Sequence, residues 1–346
     1  MKVGLTGFAG AGKTTVFTAL TGLQARPAGA AAVTLGVIKV PDPRVDKLAE
    51  VYVPKKQTYA EVTFVDFPPA RTTERRAVLD APTVAQLRDA DALVEVVRAF
   101  PDVTGAPATP AEDVGAFGAE LVLADLAVVE KRLERLRKEK GNERERALLE
   151  RLAPELEAGK ALRTVVLGAD ERAQVAGFAF LSLRPLLIVL NMAEGEATAQ
   201  LPEDVAARAA AEGAEALVLA AGLESEIAQL EPADREAFLH DVGLTASARD
   251  RFIRASYHLL DLVSFLTSGE DECRAWPIRR GTTALKAAGK IHSDIERGFI
   301  RAEVIAFDDF VRHGSEAKCR EAGKLRLEGK EYVVHDGDIV HFRFAV

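Results

Sequence analysis

The sequence predicts an α/β protein: a P-loop nucleotide-binding domain on a doubly wound, mostly parallel sheet, with an inserted helical hairpin and a small α+β domain at its end. Three observations predict it. The glycine loop Gly7-Phe8-Ala9-Gly10-Ala11-Gly12-Lys13-Thr14-Thr15 stands between a short apolar run and a helical pattern. Continuous apolar runs recur with helical stretches between them, as strands buried on both faces do. A leucine-rich heptad seam, and later a group of alternating strands, each interrupt that rhythm.

Taken in order, residues 2–6 read as a buried strand that runs straight into the glycine loop. Residues 13–22 carry Val16, Phe17 and Leu20 at helical spacing and stop at Gly22, a C-terminal glycine. The runs VTFVDF (62–67), ALVEVVRAF (92–100), LLIVLN (186–191) and ALVLAA (216–221) read as further buried strands. Between 120 and 162, Val122, Leu126, Val129, Leu133 and Leu136 recur at alternating steps of four and three. Gly141-Asn142 breaks the seam, and Leu148, Leu152 and Leu156 restart it, which predicts an antiparallel coiled-coil hairpin. Residues 249–266 read as a helix closing the nucleotide domain. From about 268 the pattern turns to strands such as IRAEVIAF (300–307) and IVHFRF (339–344), the latter after the turn Asp336-Gly337-Asp338. The expected domains are 1–118 with 184–267 for the nucleotide, 119–183 for the insert and 268–346 for the last.

Composition sets the outer limits. A chain of 346 residues, 48% hydrophobic, suits two or three globular cores. A net charge of -8 argues against a protein coated in nucleic acid but permits a local basic patch. The hairpin tip is such a patch: residues 131–146 hold eight Lys/Arg against four Glu. A solvated helix face and an RNA contact both account for it. Cys273 and Cys319 are too few for a disulfide framework or a zinc site of their own. With no signal-peptide pattern and no run of 18 apolar residues, the reading is a cytoplasmic, monomeric protein with no membrane span.

The chemistry gathers at the glycine loop. Glycines let backbone N–H groups converge on phosphates at a helix N-terminus, where the dipole favours anions. Lys13 supplies a charge to the β- and γ-phosphates and the Thr14 hydroxyl ligates Mg²⁺. Asp66, next to last in VTFVDF, is placed to hold the metal's shell from the end of the neighbouring strand. Asn191-Met192-Ala193-Glu194 follows LLIVL where guanine-specific proteins carry Asn-Lys-x-Asp. The same four residues also suit a helix N-cap with Glu at the third position, a capping box.

These motifs resemble the YchF / Obg-like ATPase family, in which a P-loop domain carries a coiled-coil insert and a C-terminal TGS domain of β-grasp type. The similarity spans nearly the whole chain. It rests on Asn191 to Glu194 and on PDPR (41–44), ESEIAQL (224–230), RAW (274–276), HSDIERGFIRAEVIAFDDF (292–310) and AGKLRLEGKEYVVHDGDIVHFRF (322–344). The resemblance implies ATP rather than GTP as the preferred nucleotide, bound with Mg²⁺. It places phosphate contacts on Gly7, Gly10, Ala11, Gly12, Lys13, Thr14 and Thr15. Base contacts fall on Asn191, Met192, Glu194 and the Ala221-Gly222-Leu223 loop, and metal contacts on Thr14, Thr34 and Asp66. It also implies association with ribosomes, which would give the basic tip a use. The departures lie at the switches. Gly10 replaces the family's usual Asn, and the Asp-x-x-Gly motif reads Asp66-Phe67-Pro68-Pro69, followed by Thr72 to Arg76 in place of a glycine-rich stretch. Slow hydrolysis and none at all, the chain then serving as a nucleotide-dependent interaction module, both fit these departures. A P-loop small-molecule kinase fits less well, since no acceptor pocket or arginine-rich lid is evident.

Overall fold

The structure is a computed structural model that describes residues 1–23, 33–67, 79–138, 142–244 and 247–345. Pro68, Pro69 and Thr72 to Arg76 of the altered switch, and Lys140 and Gly141 of the hairpin tip, lie outside the described residues. The chain divides into two compact units, residues 1–38 with 63–256 and residues 39–62 with 257–346.

The first unit is built on a six-stranded sheet of β1 (Lys2–Thr6), β2 (Thr34–Lys39), β4 (Glu61–Asp66), β5 (Ala92–Arg98), β6 (Leu186–Asn191) and β7 (Glu215–Leu219). Their spatial order is β2-β4-β1-β5-β6-β7, and the run from β4 to β7 is parallel throughout. Parallel strands need crossovers, and the helices α1 (Lys13–Thr21), α3 (Ala81–Arg88), α4 (Pro110–Leu136) and α7 (Glu203–Ala211) supply them, while α8 (Ala221–Gln229) follows the last strand. β5 and β6 are buried on both faces, which is why their sequences read as unbroken apolar runs. The edge strand β2 escaped the sequence reading. Its apolar stretch Leu35 to Ile38 is short, and only Gly36 and Ile38 of it are buried while Leu35 and Val37 are exposed.

The insert is rooted in the nucleotide sheet. α4 is one helix of 27 residues, about 40 Å long. Val114, Phe117 and Leu121 of its first half pack in the core of the sheet, whereas Val122, Val129 and Leu136 pack in a second core. There they meet Leu148, Leu152 and Leu156 of α5 (Glu143–Glu157), the predicted heptad partners. The short α6 (Ala169–Val175) follows before the chain returns to β6. The unit ends with α9 (Pro232–Asp241) and α10 (Ala248–Leu259).

The second unit carries a mixed sheet of β3 (Lys56–Thr58), β8 (Leu262–Thr267), β9 (Glu272–Arg279), β10 (Phe299–Ala306), β11 (Arg326–Glu328) and β12 (Asp338–Phe344), in the order β11-β10-β12-β8-β9-β3. The two central strands are parallel, and β9 and β10 flank them antiparallel, the arrangement of a β-grasp. α11 (Ala284–Ile291) lays Ala284, Ala287 and Ala288 on one face against Phe265, Val304 and Phe342. α12 (Ser293–Arg297), α13 (Phe307–His313) and α14 (Glu316–Glu321) complete it.

Two boundaries differ from the sequence reading. Residues 262–266, expected to continue a helix, are strand β8. Leu262, Val263, Phe265 and Leu266 are all buried, and burial on both faces imitates the apolar content of a helix. Residues 39–62 cluster with the C-terminal unit. The PDPR motif explains how: Asp42 caps α2 (Pro43–Tyr52) by accepting from the Arg44 N–H at 3.0 Å, and Pro43 fills the first helical position. The Arg44 guanidinium then bridges Asp42 and Asp336, at 2.8 and 2.7 Å. β3 adds a sixth strand by pairing in parallel with β9, and Tyr52 stacks on Phe310.

Candidate nucleotide site

The glycine loop follows β1 and opens α1, where a phosphate cradle needs to be. Gly7 has φ +127°, and a Cβ there would strike the Val96 carbonyl of the adjacent strand. Gly12, at φ +88°, occupies the left-handed region at the helix start, with the Asn191 amide against it. Both positions exclude side chains for steric reasons.

Lys13 begins α1 and folds back over the loop, donating to the carbonyls of Gly7 and Phe8 at 2.8 Å each. Burial lowers its pKa to about 8, against the pull of the Asp66 carboxylate. A phosphate among the loop amides would favour the charged ammonium. Thr14 donates to Asp66 at 3.3 Å, joining the helix start to the end of β4. A hydroxyl and a buried carboxylate this close are a hard-oxygen pair suited to Mg²⁺, which these two residues would hold. Thr34 opens β2, one strand beyond β4, and Thr15 is exposed on the first turn of α1.

Asn191 joins the glycine loop to the start of α8. Buried at the end of β6, it donates to the Ala11 carbonyl at 2.9 Å and accepts from the Ala221 N–H at 3.0 Å. The capping-box alternative is not what forms. Ala193 precedes a single 3₁₀ turn over Glu194–Glu196 with no side-chain cap, because the Asn191 side chain is engaged elsewhere. Residues 221–223, expected as a loop, are the first turn of α8, whose N-terminus Asn191 holds. Met192 packs with Ala220, Leu223 and Ile227, and Gly222 leaves room for the Glu194 carboxylate that lies against it. The structure thus brings the predicted base residues together.

Two features beneath the site had no role assigned from the sequence, although Glu224 opens the ESEIAQL stretch. Glu224 is buried and accepts from the Ala248 N–H at 2.7 Å, capping α10, and Arg249 of that helix donates to the Leu20 carbonyl at the end of α1 at 2.9 Å. Under α4, Glu95 of β5 is fully buried. Burial, with Glu212 and Asp113 nearby, pushes its carboxyl well above the usual carboxylate range, and Arg163 opposes the shift.

A strand, a glycine cradle, a helix begun by Lys-Thr and a neighbouring strand ending in a carboxylate define a P-loop nucleotide-binding protein. The comparisons make the class specific. Over 100% of its length and 99% of the relative's, the chain is 40% identical to the ribosome-binding ATPase YchF of Pasteurella multocida (strain Pm70). It is 38% identical to the protein of the same name from Bacillus subtilis (strain 168), with both chains covered in full. The chain belongs to the YchF family. Residues 262–345 match the family model YchF-GTPase_C, described as a protein of unknown function (DUF933). The structure of the Schizosaccharomyces pombe YchF GTPase superposes with a TM-score of 0.87 at 28% identity, over 99% of this chain and 97% of that one.

Proposed function

We propose that this chain is a cytoplasmic, ribosome-associated protein that binds ATP with Mg²⁺ in preference to GTP and hydrolyses it slowly. The relatives' printed names divide between ATPase and GTPase, so the base has to be argued from this site. The observation that carries the ATP reading is the engagement of Asn191. With one N–H of its amide committed to Ala11 and its oxygen to Ala221, the rest of the recognition falls to the packing surface of Met192 and Leu223 and to Glu194. Glu194 is one methylene longer than the aspartate of guanine readers, and nothing like their lysine stands before it. A packed purine needs no paired N1–H and N2–H donors. In a competition titration ATP should bind more tightly than GTP by about 1–3 kcal/mol. Equal or reversed affinities would overturn the reading.

The ribosome reading rests on the hairpin. Arg132 pairs with Glu145 across the two helices at 2.7 Å, and Lys138 with Glu134 at 3.5 Å, while Arg135, Arg137 and Arg144 are exposed. Charge reversal at Arg135 and Lys138 should reduce co-sedimentation with ribosomes and flatten its salt dependence. Binding indifferent to both would make the tip a solvated helix face.

A further inference from the structure

Between β5 and α4 the chain makes a loop, residues 99–109, that is shaped in advance by its own polar groups. Arg98, at the end of β5, donates to the carbonyls of Phe100 at 2.5 Å and of Ala106 and Pro107 at 3.3 Å each. The Asp102 carboxylate accepts from the N–H groups of Thr104 and Ala106 at 2.8 and 3.0 Å. Between this loop and the first half of the P-loop lies a cavity of about 510 Å³. Phe8, Phe100 and Pro107 give it apolar walls, and its charged lining is Asp102 and Asp113 against Arg98. The cavity reaches the phosphate cradle at Gly10, where no atom lies within 4 Å of the place a side chain would start. Val103 is fully exposed on the loop.

None of the base residues lines this space, so it is not the purine's. Its chemistry asks for an aliphatic stem that ends in a cation: apolar walls take the stem, and the Asp113 side of the cavity and a bound triphosphate take the head, Asp102 being held by the loop's own N–H groups. We propose that the cavity is a docking slot for an arginine side chain of a partner protein, which enters beside Gly10 and sets its guanidinium against the terminal phosphate. The inference rests on the reading of the P-loop as an ATP site. A cation supplied in this way stabilises the charge that develops during phosphoryl transfer, and a trans-acting arginine accelerates other P-loop proteins by about 10³–10⁵.

The test is single-turnover ATP hydrolysis by the full chain, titrated with methylguanidinium chloride as the free side-chain surrogate and with tetramethylammonium chloride at equal ionic strength. Methylguanidinium should accelerate hydrolysis saturably, by about tenfold, the rest of a tethered arginine's effect being positional. Ala106→Phe, which fills the slot without touching the cradle, should abolish the acceleration and leave ATP affinity unchanged. Asp113→Asn, which adds no volume, should raise the half-saturating concentration severalfold. A chain that fails to bind ATP would defeat the underlying reading. A chain that binds ATP yet responds equally to both salts, or responds undiminished in both variants, would overturn the slot.

Discussion

The first unit holds two clusters of polar groups, one at the C-terminal rim of its sheet and one beneath α4, and they are built on opposite terms. At the rim, Lys13 donates to two carbonyls, Thr14 to Asp66, and Asn191 to Ala11 while accepting from Ala221. Each of these contacts sets a backbone or a side chain where a nucleotide would use it. Beneath α4, Arg163 donates to the carbonyls of Arg184 at 2.9 Å and Glu212 at 3.1 Å, and burial lowers its pKa to about 10. Asp125 takes the N–H groups of Leu181 and Ser182 at 2.9 and 2.6 Å. These contacts fasten the root of the hairpin to the sheet, yet neither Glu95 carboxylate oxygen has a hydrogen-bond partner. The rim cluster is arranged for a ligand. The buried cluster holds one element against another and leaves a carboxyl whose pKa burial raises.

Three substitutions would sharpen or break this contrast. The largest effect belongs to Lys13→Ala, which should weaken ATP binding by about 2–4 kcal/mol, the range for truncating one partner of a buried charge pair. Calorimetry showing unchanged affinity would remove the rim cluster's claim to a phosphate. Asn191→Ala should come next. It leaves the Ala11 carbonyl and the Ala221 N–H without their partner, a loss of about 1–3 kcal/mol. Denaturant unfolding should register that loss, and ATP affinity should fall with it, because both walls of the site are freed. A destabilised protein that binds ATP as before would make Asn191 a purely structural residue.

The smallest effect has the opposite sign. The folded-state pKa of Glu95 is raised, so above the ordinary carboxylate range the native state binds more protons than the unfolded chain. Stability then falls as pH rises from the unfolded pKa toward the folded one. Glu95→Gln removes that dependence. Unfolding midpoints should show the variant more stable than the parent at pH 7–8 and the difference closing near pH 4. A variant less stable at every pH would mean that the carboxylate is ionised and held by Arg163.

The two clusters also differ in how far the sequence discloses them. Gly7, Gly12, Lys13 and Thr14 lie within eight positions, and their spacing is dictated by the backbone path around a phosphate. Asp66 and Asn191 were legible because each stands at or next to the end of an apolar run, and a strand end beside a P-loop is where such groups act. Residues 95, 125, 163 and 212 come from separate elements far apart in the chain, and no local pattern links them. The 221–223 segment was legible in place but not in form. Its helical state depends on the Asn191 amide, 30 residues away, accepting from its first N–H.

The phosphate cradle, the parallel rhythm of the nucleotide sheet, the heptad hairpin and the strand-rich C-terminal domain were all legible in the chain. Local geometry and the burial pattern write each of these directly into residue spacing. Packing in three dimensions settled that α4 runs unbroken from the sheet into the hairpin, with Leu121 in one core and Val122 in the other. It alone decided that residues 39–62 complete the second sheet, through the pairing of β3 with β9 and the bridge from Arg44 to Asp336. The second choice depends on partners more than 200 positions away, and for both a hydrophobic period records that a face is buried without recording against what.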